Sequence, residues 1–150
     1  MKIPQELTQD EWDLWRDWME AQRALNREID RALQAEFGIS KAEFSILLTL
    51  SRGVKPALRV VDIGAALGWE KSRISHLLKR MEARGLVERV EDGAPGRRTG
   101  VKATNSGRDL SARAVKGHAR NIRRYFFSAV TSEQASAIHA WSKHMVSTSS

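Results

Sequence analysis

The chain has 150 residues, 41% of them hydrophobic, which is enough for one good core and too few for two large independent domains. Lys and Arg number 25 against 18 Asp and Glu, giving a net charge of +7 and a pI near 10.2, a balance that favours polyanionic partners such as nucleic acid. The absence of cysteine excludes disulfides, thiolate metal sites and cysteine redox chemistry, and without an apolar stretch of signal-peptide or membrane-span length the protein is expected to be soluble and cytoplasmic.

From residue 10 to 37, Trp12, Trp15 and Met19 fall on one face, continued by Ile29, Leu33 and Phe37, with charges between them and no proline. This spacing predicts a long first helix stopped by Gly38. Ser40 with Glu43 forms a capping box for a second helix that turns Phe44, Leu47 and Leu48 inward and ends at Gly53 and Pro56. The segment "LRVVDIGAALGW" offers a short extended piece, Leu58–Val60, and then a third helix built on Ile63, Ala66 and Leu67 and closed by Gly68.

In "GWEKSRISHLLKRMEARGLVERV", Ile74, Leu77, Leu78 and Met81 recur at i, i+3, i+4 and i+7, so a fourth helix turns them to the core. The same arithmetic turns Ser72, Ser75, His76 and Lys79 the other way, with Arg73 and Arg80 along one edge. Gly85 ends the helix, and Leu86, Val87 and Val90 read as a strand. "DGAPG" is a turn and "RRTGVKAT" a returning strand, which puts Arg97 and Arg98 at the hairpin tip.

Thr104 or Ser106 can cap a further helix running through Leu110, Val115, Ala119, Ile122 and Phe126, with Gly117 as a weak point. Thr131 with Gln134 starts a last helix on Ala135, Ile138, Trp141 and Met145, and "STSS" reads as a frayed tail. The fold class is therefore mainly α with a small β-hairpin wing.

A helix pair with a basic second helix, followed by a basic hairpin, has the layout of a winged helix-turn-helix, whose second helix enters the DNA major groove. Arg and Lys can reach guanine O6 and N7, Ser and His can meet bases or phosphates, and wing arginines can enter the minor groove. The expected DNA-binding set is Ser72, Arg73, Ser75, His76, Lys79, Arg80, Arg97 and Arg98. Charges at Arg73, Lys79 and Arg80 taken alone read more readily as a solvated helix face; Gly85, the hairpin and Arg97 beside them turn the balance.

His76 with Ser72 and Ser75 lacks an acid partner and a nucleophile elbow, His139 and His144 stand five apart, and His118 stands alone. Catalysis, a metal and a cofactor are therefore not expected. Trp12, Trp15 and Trp18 read as core and dimer packing. Two other readings remain in view: an architectural protein that coats DNA without sequence preference, and a small enzyme using His76 or His118.

"LGWEKSRISHLLKRMEARGLVER", the "GRR" wing, the following "VKATNSGRDL" and the long helices on both sides resemble the MarR family of transcriptional regulators over nearly the whole chain. The resemblance implies a single domain over 1–150, with dimerisation helices at about 10–37 and 105–147 and a winged helix-turn-helix lobe at about 39–104. It implies a homodimeric repressor on a pseudo-palindromic operator in double-stranded DNA. It also implies release by a small, often aromatic ligand held between the dimerisation helices and the lobe, with Trp15, Met19 and His118 as neighbours; the cationic surplus favours an anionic one. Two departures stand out. Pro95 occupies the place of the acidic residue usually found two positions before the wing arginine, Arg97, so the wing is expected to lack its ion pair and to be mobile without DNA. Glu70 stands where Ser or Asp normally caps the recognition helix.

Overall fold

The computed structural model describes residues 6–93 and 95–149; residues 1–5, one position of the expected turn at 94 and the last of the expected tail at 150 lie outside them. The elements run α1 (Gln9–Phe37), α2 (Lys41–Arg52), α3 (Val60–Leu67), α4 (Lys71–Ala83), β1 (Val87–Val90), β2 (Gly100–Ala103), α5 (Asn105–Tyr125), a 3-10 turn (Phe127–Ala129) and α6 (Ser132–Thr148). No described helix is long and apolar enough to cross a membrane.

Local chemistry sets the helix starts. Ser40 Oγ accepts from the Glu43 amide at 3.1 Å while the Ser40 amide donates to Glu43 Oε1 at 3.0 Å, the reciprocal capping box expected for α2. Thr131 and Gln134 repeat it at α6, with bonds of 2.9 and 3.1 Å. Of the two candidates at α5, Thr104 is the cap, its Oγ1 accepting from the Gly107 amide at 3.0 Å.

The chain divides into two compact units. One takes the first helix as far as Ala32 together with Arg120 onward; the other takes Leu33–Ala119. The second unit holds nearly all the buried side chains, among them Leu33, Ile39, Ile46, Leu47, Ile63, Ile74, Leu78, Met81 and Val101. In the first unit only Ile29 and Asn121 are buried among the described residues. Its Trp12, Trp15 and Trp141 are 53%, 55% and 49% exposed, so these tryptophans do not form a core within the single chain.

Several expectations need correcting. Val60 is the first residue of α3, and the extended piece before it is Leu58, bridged antiparallel to Val101 by bonds of 2.9 and 2.7 Å. In α2 it is Ile46 that is fully buried, whereas Leu48 is half-buried. The returning strand starts only at Gly100, paired with Val90, so Arg97 and Arg98 belong to the loop and not to the ladder. Helix α6 carries on through Thr148, whose hydroxyl bonds back to the His144 carbonyl at 3.1 Å, so Ser147 and Thr148 of the expected tail are helical. Phe126 lies just past the end of α5.

The inward face of α5 differs most. Val115 and Ala119 are exposed, and the buried positions are Gly107, Leu110, Ser111, Ala114, Gly117 and Asn121. Small residues line this face because its neighbours come very close. A Cβ on Gly107 would lie 2.0 Å from the Leu86 carbonyl oxygen, and one on Gly117 would lie 2.4 Å from the Phe37 ring. Gly117 is thus the seat of an aromatic ring and not a weak point of the helix.

Candidate nucleic-acid interface

Helix α4 is held from one side. Ile74, Leu78 and Met81 have no exposed surface and Leu77 is half-buried, which fixes the rotation of the helix about its axis. The opposite side carries Ser72, Arg73, His76, Lys79 and Arg80, all exposed, with Ser75 half-buried at its margin. At the N-terminus Glu70 is the cap residue but its side chain accepts no capping bond, and the first turn contains no acidic residue. Those amides are left free of side-chain capping.

The other end of α4 is tied down. The Arg84 Nη1 donates to Glu43 Oε2 at 3.1 Å and Nη2 donates to the Gly38 carbonyl at 2.6 Å, joining the end of α4 to the α1–α2 junction. Beyond Gly85 the Leu86 amide donates to the Met81 carbonyl at 3.0 Å. Thr104 then closes the circuit: its hydroxyl donates to the Gly85 carbonyl at 2.6 Å and its amide to the Leu86 carbonyl at 3.1 Å. One threonine therefore caps α5 and holds the exit of α4.

Strands β1 and β2 pair antiparallel from Val87 opposite Ala103 to Val90 opposite Gly100, and Lys102 Nζ lies 3.1 Å from Glu88 Oε1 across the ladder. The loop at 91–99 carries exposed Arg97 and Arg98, neither with a carboxylate partner among the described residues. Pro95 supplies no ion pair, as expected, yet the wing does not lack one. Asp92 Oδ2 sits 3.2 Å from Arg59 Nε at the start of α3. The Gly96 amide donates to Glu91 Oε1 at 3.0 Å and the Asp92 amide to the Arg97 carbonyl at 3.3 Å. The wing thus has an exposed ion pair to the residue that starts α3, in place of the one expected to be missing within the hairpin.

All eight expected DNA-facing residues thus belong to the Leu33–Ala119 unit, six on α4 and two on the wing loop. Two further residues were not singled out from sequence. Arg59 anchors the wing, and Trp69, half-buried in the turn between α3 and α4, lies under Arg73, whose guanidinium carbon is 3.9 Å from the ring centroid. The adjacency of Gly68, Trp69 and the helix start was the available signal for the second.

The three ligand candidates divide between the units. Trp15 and Met19 line an open cavity of about 740 Å³ in the first unit, together with Trp18, Trp141 and Met145. There Trp18 and Trp141 meet edge to face, 5.6 Å between centroids. His118 belongs to the second unit, its ring edge-on to Phe44 at 5.1 Å, and its buried Nδ1 has no hydrogen-bond partner among the described residues. Burial, and secondarily the charge of Lys41, lower its pKa below the usual 6.5.

A MarR family model matches residues 37–98, from the end of α1 through α4 and β1 to the wing arginines. Over that stretch the chain is similar to the MarR family. Among solved structures it is similar to AbsC, a MarR family transcriptional regulator from Streptomyces coelicolor, at 27% identity over 96% of this chain and 97% of that one, TM-score 0.80. Sco3205, a MarR family transcriptional regulator from the same organism solved in complex with DNA, is 26% identical over 97% of this chain and 91% of that one, TM-score 0.83. A mutant MarR from E. coli complexed with operator DNA shares the fold, at 18% identity, 93% and 98% coverage and TM-score 0.75. No curated protein matches the chain. The mainly helical fold with its two-stranded hairpin is that of the MarR winged helix.

Proposed function

We propose that the protein is a homodimeric, sequence-specific repressor that binds a pseudo-palindromic operator in double-stranded DNA. The observation that carries this reading is the outward face of α4, where Ser72, Arg73, His76, Lys79 and Arg80 are exposed, on a helix whose opposite face buries Ile74, Leu78 and Met81 completely. A helix fixed in this way can present Ser72, Ser75 and His76 to base edges while Lys79, Arg80, Arg97 and Arg98 neutralise phosphate. Similarity to Sco3205, solved with DNA, supports the same use of this unit. A regulator of this kind works on the chromosome, in the cytoplasm.

Pairing of two copies has its own support. The first unit leaves Leu14, Trp15, Trp141 and Met145 exposed around an apolar cavity, with Trp12 and Val146 also exposed, and contiguous apolar surface of this kind commonly marks an interface. A second copy covers it, and two-fold pairing sets two α4 helices about 34–36 Å apart on successive turns of one DNA face. Release by an anionic aromatic ligand draws support from His118, whose unpartnered Nδ1 beside Phe44 can give or take one hydrogen bond.

Competition binding separates this function from an architectural coat. Labelled duplex selected from a random pool should be displaced by unlabelled selected duplex at concentrations at least a thousandfold below those of random duplex. Equal displacement by both would leave only non-specific coating. Sedimentation at micromolar concentration should give a dimer, and Trp141→Glu should give a monomer. Millimolar aromatic carboxylate should weaken operator binding by wild type; no effect would remove the ligand from this reading.

A further inference from the structure

Helix α3 ends on Gly68, at φ 68°, whose amide donates to the Gly64 carbonyl at 2.8 Å; the Trp69 amide donates to the same carbonyl at 3.2 Å. A Cβ on residue 64 would come within 3.1 Å of the Trp69 carbonyl oxygen, so the turn lies tight against α3. Its ring is half-buried, and over it rests the guanidinium of Arg73, the third residue of α4.

Several arginines of the described chain, such as Arg16, Arg23, Arg27, Arg31, Arg59 and Arg113, have a carboxylate partner within 4.0 Å; Arg73, like Arg80, Arg97 and Arg98, has none among the described residues. What holds it is the face of an indole. The difference matters chemically, because a carboxylate occupies the N–H donors of a guanidinium, whereas an aromatic face covers only its flat side and leaves the five in-plane donors free. A free arginine side chain also loses much rotamer freedom on binding, and one already laid against a ring loses less. Arg73 is in the first turn of α4, the part of a recognition helix that lies at base edges, and a planar fork of donors there matches O6 and N7 of guanine.

We propose that Trp69 is a positioning residue for Arg73 and that the stacked pair reads a guanine in the major groove. The proposal rests on the DNA-binding function above and adds to it a named determinant and a named base. Trp69 touches no base itself; its indole sets the plane and direction of the guanidinium fork.

The test starts with duplexes selected by the wild-type protein from a random pool. Arg73→Ala should lower affinity for the selected duplex about ten- to a hundredfold and erase the preference for guanine at one position of each half-site. Trp69→Leu, which keeps apolar bulk in the turn and removes the aromatic face, should lower affinity about two- to fivefold on the same duplex. That loss should shrink when the guanine is replaced by 7-deazaguanine, which lacks N7 and keeps O6, and it should vanish in the Arg73→Ala background. Trp69→Phe, which restores a ring, should recover most of the wild-type preference.

Should Trp69→Leu fail to fold, Arg73→Lys tests the same geometry without touching the turn. It should lose discrimination at that base pair while the dependence of affinity on salt stays unchanged, since the charge is kept and the planar fork is lost. A Trp69→Leu loss that is equal on all sequences, or that persists without Arg73, would overturn the proposal while leaving operator binding intact. So would Arg73→Lys with wild-type discrimination. If the wild-type protein selects no sequence at all, the DNA-binding function itself falls, and this pair with it.

Discussion

Removing Arg84 tests whether the end of the recognition helix is held by one side chain. In the wild type its two η nitrogens bridge the Glu43 carboxylate and the Gly38 carbonyl, at 3.1 and 2.6 Å. The Glu43 side chain is only 5% exposed and that of Arg84 is 42% exposed. Arg84→Ala deletes one charge-assisted bond to a buried acceptor, a class of bond worth about 1.5–3 kcal/mol, and one bond to a carbonyl. The 3–5 kcal/mol seen when a fully buried pair is broken is an upper bound here. Water can enter on the exposed Arg84 side, and Glu43 keeps the bond it accepts from the Ser40 amide at 3.0 Å. A loss of about 2 kcal/mol is expected, or about 4–8 °C in Tm for a chain of this size. Urea and thermal melts must be run at one protein concentration, because any pairing of copies makes Tm depend on concentration. Glu43→Gln and the double variant complete a cycle, and the two single losses should be clearly non-additive. A loss below about 0.5 kcal/mol, with the double variant equal to the sum, would show that the bridge contributes nothing and that packing of Leu78 and Met81 alone fixes α4.

Gly117→Ala is expected to destabilise by about 1–3 kcal/mol in urea melts because its Cβ would strike the Phe37 ring at 2.4 Å, and Phe37→Leu in the same chain should recover part of the loss. His118 has a lowered pKa in the folded protein, so the unfolded chain takes up its proton more readily; stability should fall as pH drops through the usual imidazole value of 6.5, and His118→Gln should flatten that part of the pH profile. Arg97→Ala should weaken binding to all operator variants alike and flatten the slope of log affinity against log salt by about one unit, whereas a parallel line of unchanged affinity would make Arg97 a solvated surface charge.

The elements that could be read from sequence are those whose determinants lie within a turn or two of one another. The Ser40–Glu43 and Thr131–Gln134 boxes each need only three residues of separation, and the outward face of α4 follows from the spacing of Ile74, Leu78 and Met81. Where the partner is remote, the pattern misleads. On α5 the apolar pattern found the buried Leu110 but also selected Val115 and Ala119, which are exposed; the buried face further takes Gly107, Ser111, Ala114, Gly117 and Asn121, and at Gly107 and Gly117 the Leu86 carbonyl and the Phe37 ring leave no room for a Cβ. The wing misled for the same reason: Pro95 removes a local acid, and the pair that exists, Asp92 with Arg59, joins residues with all of α3, α4 and β1 between them.

The two units spend their hydrophobic sequence differently, and this bears on how each is stabilised. Leu33–Ala119 closes its own core, with side chains such as Ile39, Leu47, Ile63, Ile74 and Leu78 wholly out of solvent. The other unit contains four of the five tryptophans, yet none of its tryptophans is buried, and α6 has no buried residue at all. Apolar periodicity in α1 and α6 is therefore sequence written for surface that one chain does not cover. Burial of aromatic area is the main source of stability such helices can draw on, so the part of the chain outside the DNA-facing unit should be the part whose stability depends most steeply on protein concentration. Hydrogen exchange followed across a dilution series reads this directly: amides of α6 should lose protection on dilution while those of α2 and α4 keep theirs. Equal loss in both would mean that the Leu33–Ala119 core does not stand without pairing.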